Sequence, residues 1–284
     1  MSVALPLKLP LKGAPRIGLR DVVALSQGGA RPEDKIYNLL APGATRLQIN
    51  WPDNRYWFQD AAGTVPVTSA GQMIRCWKPR FGVDLVQSVN SDYAPLASTL
   101  PNGALSATFD GVDDYLQSST SLDFSTSDEI LMMAGLRKLM DGPTAKIVCE
   151  LGTNTNTDNG AAYLAAPVTN AANYGCATKG TAMGQASYTN AAIAAPHTAV
   201  LAGYGDISAD FCRLRVNGAQ VAQSVSDQGT GNFGNFTLFV GRRNGAALPL
   251  NARLGPLILR GGPLPDIATI QAVEAIINQH VGAY

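Results

Sequence analysis

The sequence predicts a mostly β protein, an antiparallel β-sandwich with an extended N-terminal arm and a short C-terminal helix. Turn-forming Asn-Gly pairs recur along the body of the chain, at residues 102–103, 159–160, 217–218 and 244–245. Such a pair accepts the positive φ angles of a two-residue hairpin. Short apolar segments lie between these turns, and a helical pattern closes the chain at residues 266–280.

The first 20 residues contain a small repeat, Leu-Pro-Leu-Lys at residues 5–8 and again at residues 9–12. A proline at every fourth position excludes a helix and favours an extended, polyproline-like arm. Alone, the arm would be a loose tail. Its leucines favour docking on another protein, and they are the candidate partner-binding residues: Leu5, Leu7, Leu9 and Leu11.

A short helix is predicted at Pro32–Leu40, because proline suits the first helical turn and Glu33 and Asp34 lie near its positive end. A strand is predicted at residues 44–51. All three tryptophans follow within a short segment that also holds Tyr56 and Phe58: Trp51, Trp57 and Trp77. This aromatic segment is either a small satellite core or an interface, with Trp51 and Trp57 as partner-binding anchors.

The residues 107–117 predict a strand, a tight acidic turn and a second strand. Gly111 permits positive φ in the turn, and three short carboxylates can accept hydrogen bonds from the turn's own amides: Asp110, Asp113 and Asp114. Phe109 and Tyr115 should anchor the two sides of the turn in an apolar layer.

Later segments supply further strands, at residues 146–152, 236–241 and 253–259. Before Asn217-Gly218, three apolar residues alternate with two arginines, which is typical of a hairpin strand. Apolar residues then recur at helical spacing from Ile267 to Ile277, with Asp266 placed to cap the helix.

Three segments resemble parts of bacteriophage structural proteins that carry a concanavalin A-like, laminin-G-like domain. The segment 59–68 reads Gln-Asp-Ala-Ala-Gly-Thr-Val-Pro-Val-Thr, and Phe109–Leu116 matches the signature Phe-Asp-Gly-x-Asp-Asp-Tyr-Leu. The hairpin at Asn217-Gly218 is similar to the Arg-Leu-x-Val-Asn-Gly hairpin of such domains. The resemblance covers roughly residues 56–280. It implies a jelly-roll sandwich that ends in a short helix.

Two regions are therefore predicted: an arm with the aromatic anchoring segment at residues 1–85, and the sandwich at residues 86–284 with its helix at 266–280. Only 15% of the residues are charged and the net charge is zero. Residues 1–55 hold eight basic and four acidic side chains, and residues 91–160 hold three basic and ten acidic ones. Neither region is basic enough to predict nucleic-acid binding.

Four cysteines are widely spaced, so reduced and mostly buried thiols are expected rather than a disulfide framework or a zinc site: Cys76, Cys149, Cys176 and Cys212. Prolines interrupt the early apolar run, so no signal peptide is predicted. The chain also lacks the run of about 18 apolar residues that a transmembrane helix needs.

Catalysis is poorly supported by the residue pattern. The Gly-x-Gly-x-x-Gly match at residues 229–234 precedes a strand rather than a helix, so a dinucleotide site is rejected. His197 and His280 have no nucleophile at a known triad spacing. No two of the four glutamates lie two or four residues apart, which argues against a glycoside hydrolase of this fold.

Calcium binding is the remaining chemical hypothesis, with Asp110, Asp113 and Asp114 as hard oxygen ligands. A second polar cluster surrounds Asp158: Asn154, Asn156 and Asn159. The alternative is that both clusters are turns without metal. No other cofactor is predicted. Four tyrosines lie in or near the polar, loop-rich half, but no sugar pocket is assigned to them: Tyr163, Tyr174, Tyr188 and Tyr204.

The resemblance implies a non-enzymatic virion protein, a tail, baseplate or fibre component assembled in the host cytoplasm. Its arm would dock on another phage structural protein or a neighbouring copy in a homo-oligomer, and its sandwich would face outward toward host surface carbohydrate. A capsid decoration or spike protein and a stand-alone glycan-binding module of lectin type are the alternatives, and an enzyme on the same scaffold is the third class.

Overall fold

The structure is a computed structural model that describes residues 29–169 and 171–284. The predicted arm, with its candidate residues Leu5, Leu7, Leu9 and Leu11, lies outside the described residues. The helices of the described part are α1 (Pro32–Leu40) and α2 (Ile267–Val281). Neither has the length and apolar character that a bilayer crossing requires.

Strands are the main regular elements of the described chain. In chain order they are β1 (Arg46–Asn50), β2 (Trp57–Phe58), β3 (Cys76–Trp77), β4 (Leu85–Val86), β5 (Leu96–Thr99), β6 (Leu105–Asp110), β7 (Leu116–Ser118), β8 (Leu122–Asp123), β9 (Glu129–Lys138), β10 (Ile147–Leu151), β11 (Ala162–Ala165), β12 (Asn173–Lys179), β13 (Met183–Thr189), β14 (His197–Asp206), β15 (Phe211–Val216), β16 (Ala219–Ser224), β17 (Asn235–Phe236), β18 (Leu238–Val240) and β19 (Asn251–Gly261).

Seventeen of these strands form two large antiparallel sheets, and β8 and β17 form a separate antiparallel pair. Sheet I has eight strands in the order β16-β15-β14-β9-β19-β6-β5, and β1 pairs with the C-terminal half of β19. Sheet II has nine strands in the order β13-β12-β11-β10-β18-β7-β4-β3-β2. The predicted antiparallel β-sandwich with a short C-terminal helix is therefore confirmed.

The strongest local predictions are also confirmed. The first helix spans Pro32–Leu40 with its acidic first turn. Asn217 and Gly218, with φ angles of 51° and 81°, connect β15 to β16. At the last helix, Asp266 Oδ1 accepts a hydrogen bond from the Thr269 amide at 2.7 Å. Each of these elements is determined by neighbouring residues, so the sequence alone reveals it.

The main core lies between the sheets and includes the aromatic segment. Trp57 and Trp77 face each other across β2 and β3 with ring centroids 5.5 Å apart and an interplanar angle of 88°. Both side chains are fully buried. Edge-to-face packing of this kind adds to the stabilisation from burial itself.

Residues before 86 are consequently part of the sandwich. Strand β1 extends sheet I, and β2, β3 and β4 form one edge of sheet II. The boundary predicted at residue 85 thus divides hydrogen-bonded strands of the same sheets. The structure corrects that boundary, because the aromatic segment has its partners within this chain.

A second apolar layer lies on the outer face of sheet I, beneath both helices. Ile36 and Leu40 of α1 share this layer with Ile270 and Val273 of α2. A Cβ atom at Gly135 on β9 would lie only 2.6 Å from side-chain atoms of α2. Glycine at this position therefore permits the close approach of α2 to the sheet.

Candidate functional site

The acidic turn connects β6 of sheet I to β7 of sheet II. The carboxylates of Asp110, Asp113 and Asp114 each offer an oxygen, and these oxygens lie within 4.8 Å of one another. Asp110 Oδ1 accepts the Val112 amide at 2.7 Å, and Asp114 Oδ2 accepts the Asp110 amide at 2.8 Å. The structure thus brings together the three predicted residues and shows the predicted hydrogen bonds within the turn.

Asp114 differs from the other two acids because it is only 6% exposed. Burial raises the pKa of Asp114 to about 7. The hydrogen bond from the Asp110 amide opposes this rise, and the charges of Asp110 and Asp113 add to it. Near neutral pH, a substantial fraction of the Asp114 side chains therefore carries a proton.

Two aromatic residues hold the turn in place, as predicted. Phe109 is fully buried between the sheets and Tyr115 is nearly so. Their rings pack against two glycines: a Cβ atom at Gly241 would lie 2.3 Å from the Phe109 ring, and one at Gly245 would lie 2.8 Å from the Tyr115 ring. The turn is thus a rigid part of the sandwich.

Calcium would need six to eight oxygen ligands. The three carboxylates supply part of this set, and backbone carbonyls or water would have to supply the rest. Since Asp110 and Asp114 already accept backbone hydrogen bonds, the turn is stable without an ion. Calcium binding at this turn stays a prediction.

The second polar cluster is also closed by its own hydrogen bonds. Asp158 Oδ2 accepts the Thr153 amide at 2.7 Å and the Asn154 amide at 3.0 Å. Asn154 Oδ1 accepts the Asn156 amide at 3.1 Å. These bonds form the turn that the alternative interpretation expected at this place.

The candidate anchors Trp51 and Trp57 are located in the interior of the protein. Trp57 belongs to the inter-sheet core, and Trp51, 7% exposed, lies beneath the helices with its ring 5.0 Å from that of His280. Their burial in the single chain corrects the prediction that they anchor a partner. The alternative, a cluster of core residues, describes both.

A cavity of about 380 Å³ opens on the outer face of sheet I, next to the start of α2. Its walls come from the ends of β9, β14, β15 and β16 and from the segment before the helix. The polar and aromatic residues that line it are Glu129, Tyr204, Asp206, Phe211, Arg213 and Gln220. Asp206 and Glu129 lie directly opposite each other on neighbouring strands.

Arg213 is the polar group of this cavity with the fewest partners. Its guanidinium carbon lies 4.3 Å from the centre of the Phe211 ring. Its Nε atom is buried and has no hydrogen-bond partner among the described residues. A buried N–H without a partner is costly, so an acceptor on a bound molecule would stabilise this arrangement.

The other polar groups of the cavity have internal partners. Tyr204 donates to Gln220 Oε1 over a long 3.3 Å. Glu129 Oε2 accepts the Leu264 amide at 2.6 Å, and Asp206 Oδ1 accepts the Ser208 hydroxyl at 2.8 Å. A cationic donor, two carboxylate acceptors and two aromatic rings therefore line one open cavity, a combination that suits a hydroxylated ring. The alternation of apolar residues and arginines in the sequence of β15 did not by itself predict this cavity.

Both histidines are held by hydrogen bonds. His197 Nδ1 lies 2.9 Å from the Tyr174 hydroxyl, and His280 Nε2 lies 2.8 Å from the Leu105 carbonyl oxygen. Burial lowers the pKa of His280, against the effect of the Leu105 carbonyl. Burial and the charges of Lys138 and Arg137 lower the pKa of His197.

Comparisons with known proteins find likeness in solved structures only. No family model matches the chain, and no curated protein matches it. The botulinum neurotoxin serotype C1 binding domain superposes with a TM-score of 0.46 and 9% identity, covering 68% of this chain and 49% of that one. The chain thus spans about half the length of that neurotoxin domain.

A second similar structure is the CBM40 domain of the Ruminococcus gnavus IT-sialidase, bound to α2,3-sialyllactose. Its TM-score is 0.41 with 17% identity, over 56% of this chain and 97% of that one. The fold defines this chain as a β-sandwich protein. These structural similarities do not identify a ligand for it.

Proposed function

We propose that the chain is a non-enzymatic structural protein of a bacteriophage particle, a tail, baseplate or fibre component. The N-terminal arm, with its leucine-proline repeat at residues 5–12, docks on another particle protein or a neighbouring copy, and the sandwich faces outward. The observation that carries the proposal is the signature Phe109–Leu116. It matches that of phage structural proteins and forms the buried-anchor turn between the two sheets.

The positions of the glutamates support a non-enzymatic role. Glu150 is fully buried and pairs with Arg243 at 2.8 Å, and Glu274 is fully buried and pairs with Arg215 at 2.9 Å. Glu33 accepts from the Tyr56 hydroxyl at 3.3 Å. A glycosidase needs two carboxylates with access to substrate. These three glutamates are therefore committed to the fold. The fourth, Glu129, lines the cavity on sheet I together with Asp206, and each of these two already accepts a hydrogen bond from within the chain.

The test is to locate the chain on phage particles purified from a lysate of the infected host cells. Gold-labelled antibody should decorate the particles in electron micrographs. A variant with Leu7→Asp and Leu9→Asp should be lost from them, because the charged arm cannot dock. The control Lys8→Ala with Lys12→Ala should remain attached. A chain found only in the soluble fraction would refute the virion assignment.

Glycan binding is a second candidate function, and the cavity around Arg213 favours it. The rings of Phe211 and Tyr204 provide apolar surface, and Arg213, Asp206 and Glu129 provide donors and acceptors for hydroxyl groups. One cation and two carboxylates make an anionic sugar a poor fit. The ligand class is therefore a neutral pyranose.

Saturation-transfer NMR with a panel of neutral methyl pyranosides tests this candidate. Signal transfer is expected with the wild-type chain and should disappear in Arg213→Ala. Arg55→Ala should leave it unchanged, because Arg55 is an exposed arginine away from the cavity. Equal transfer in both variants, or none in the wild type, would rule out the cavity as a neutral-sugar site. Hydrolysis of any glycoside in the panel would instead contradict the non-enzymatic assignment.

A further inference from the structure

Two cysteines on opposite sheets face each other across the core. Cys176 is on β12 of sheet II and Cys212 is on β15 of sheet I. Their sulfur atoms lie 3.4 Å apart, and both side chains are fully buried. All four cysteines are free and buried in the structure, which confirms the burial predicted from the sequence.

The backbones around this pair are also close. Cys176 Sγ lies 3.3 Å from the Arg213 carbonyl oxygen, and Cys212 Sγ lies 3.7 Å from the Cys176 carbonyl oxygen. Each sulfur thus reaches the backbone at or beside the other cysteine. A disulfide requires a close approach of the two backbones, and the contact of each sulfur with the opposite main chain favours it.

Small residues cause this close approach of the sheets. A Cβ atom at Gly203 on β14 would lie 2.6 Å from Cys176 Cβ, and one at Gly205 would lie 2.5 Å from the Thr178 hydroxyl. Larger side chains at these glycines would separate β12 from sheet I. The sandwich is therefore thin where the two thiols meet.

We infer that Cys176 and Cys212 form a disulfide between the two sheets when the chain folds in the presence of a low-molecular-weight disulfide such as oxidised glutathione. One cysteine thiolate attacks the oxidant and releases a glutathione thiolate. The other cysteine thiolate then attacks the mixed disulfide, forms the Sγ–Sγ bond and releases the second glutathione. Two cysteine thiols are oxidised, one glutathione disulfide is reduced to two thiols, and the two cysteine protons end on those thiols.

The folded chain resists this reaction once its thiols are buried. The hydrogen bond between the two thiols, together with burial, raises the pKa of Cys176 well above its usual value, whereas the same hydrogen bond lowers the pKa of Cys212. Burial of both side chains keeps an oxidant away from either sulfur. Exchange therefore takes place during folding or transient opening. Because the two residues are 36 positions apart, the bond would restrict a long segment of the unfolded chain and so stabilise the fold.

The experiment is to refold the denatured wild-type protein in a buffer of reduced and oxidised glutathione, with a parallel sample in reductant. Intact mass should fall by two hydrogen atoms, and peptide mapping should recover one cross-linked pair that contains Cys176 and Cys212. The thermal midpoint should rise by about 5 °C or more relative to the reduced sample.

Two variants provide the controls. Cys149→Ala should gain the same cross-link and the same shift, because Cys149 is a buried thiol outside the pair. Cys212→Ala should gain neither. Mapping of the wild type does not depend on how well a variant folds. Wild-type protein that keeps four free thiols, links Cys76 or Cys149 instead, or melts lower when linked would overturn the inference.

Discussion

Arg215 on β15 and Glu274 on α2 form a bidentate ion pair that is buried on both sides. The Nε–Oε1 and Nη2–Oε2 distances are 2.9 and 3.0 Å. The arginine and glutamate side chains are 4% and 0% exposed. This pair fixes the terminal helix on the outer face of sheet I.

Breaking this pair should destabilise the protein strongly. In Glu274→Gln, the charge of Arg215 stays buried without its partner, so we expect the free energy of unfolding to fall by about 3–5 kcal/mol. Urea denaturation measures the loss. In the control Arg55→Gln, an exposed pair is broken and the loss should stay below about 1 kcal/mol. Equal losses would show that Arg215 is not effectively desolvated.

Gly241 should not tolerate alanine. Its φ is 86°, and a Cβ atom there would lie 2.3 Å from the Phe109 ring. We expect Gly241→Ala to lose about 3 kcal/mol or more of unfolding free energy, from backbone strain and displacement of the ring. Gly71 is the matched control: its φ is 85° with nothing within 4 Å, so Gly71→Ala should lose about 1 kcal/mol.

Asp114 should make the protein less stable as pH rises toward neutrality. Its folded pKa of about 7 exceeds the ordinary 3.8, so between these values the native state binds more protons than the unfolded state. Unfolding free energy then falls as pH increases through this window. Asp114→Asn keeps an acceptor for the Asp110 amide and should gain about 2–4 kcal/mol over wild type at pH 8, with no gain near pH 4.

Denaturant midpoints from pH 4 to 8 check this prediction. Asp113→Asn removes one neighbouring charge but leaves Asp114 buried, so it should give a smaller gain than Asp114→Asn. If both variants gain equally at pH 8, repulsion between the carboxylates rather than burial governs Asp114.

Calcium titration decides between the two interpretations of the acidic turn. We expect no heat by calorimetry at pH 7 or pH 8, because Asp110 and Asp114 already accept amide hydrogen bonds. Heat at pH 8 that vanishes in Asp110→Asn and persists in Asp158→Asn would establish a calcium site at the turn.

The histidines should give the opposite pH dependence. The pKa of His280 and that of His197 are both lowered from 6.5, so below pH 6.5 the unfolded chain binds more protons than the folded one. The stability that the two neutral histidines contribute is fully present above pH 6.5, and it is lost as pH decreases below that value. His280→Gln should lose less stability between pH 6.5 and 5 than wild type. NMR titration of the imidazole protons provides the direct check.

Local signals in the sequence predicted much of this structure. Pro32, the Asn217-Gly218 turn and the Asp266 cap each determine an element within a few residues. The aromatic segment was harder to place, because β2, β3 and β4 contain two residues each, too few to show alternation. Their assignment to sheet II depends on pairing with distant strands, which one sequence does not show.

The two candidate sites also differ in how far the sequence alone could predict them. The acidic turn lies within Asp110–Asp114, so its residues could be found together in the sequence. The cavity combines Glu129 and Arg213 with the segment before α2, far apart along the chain. The alternation of Arg213 with Cys212 and Leu214 predicted a hairpin strand, which is β15, but it did not indicate a cavity. Only the tertiary fold shows that α2 begins beside it.

The two helices share one apolar layer on sheet I, so Ile36 and the exposed Tyr284 lie on the same side of the molecule. A biotin or fluorescent label coupled at Tyr284 would therefore orient every copy alike on a sensor chip. The outer surface of sheet II would point into the flow, free of the attachment chemistry.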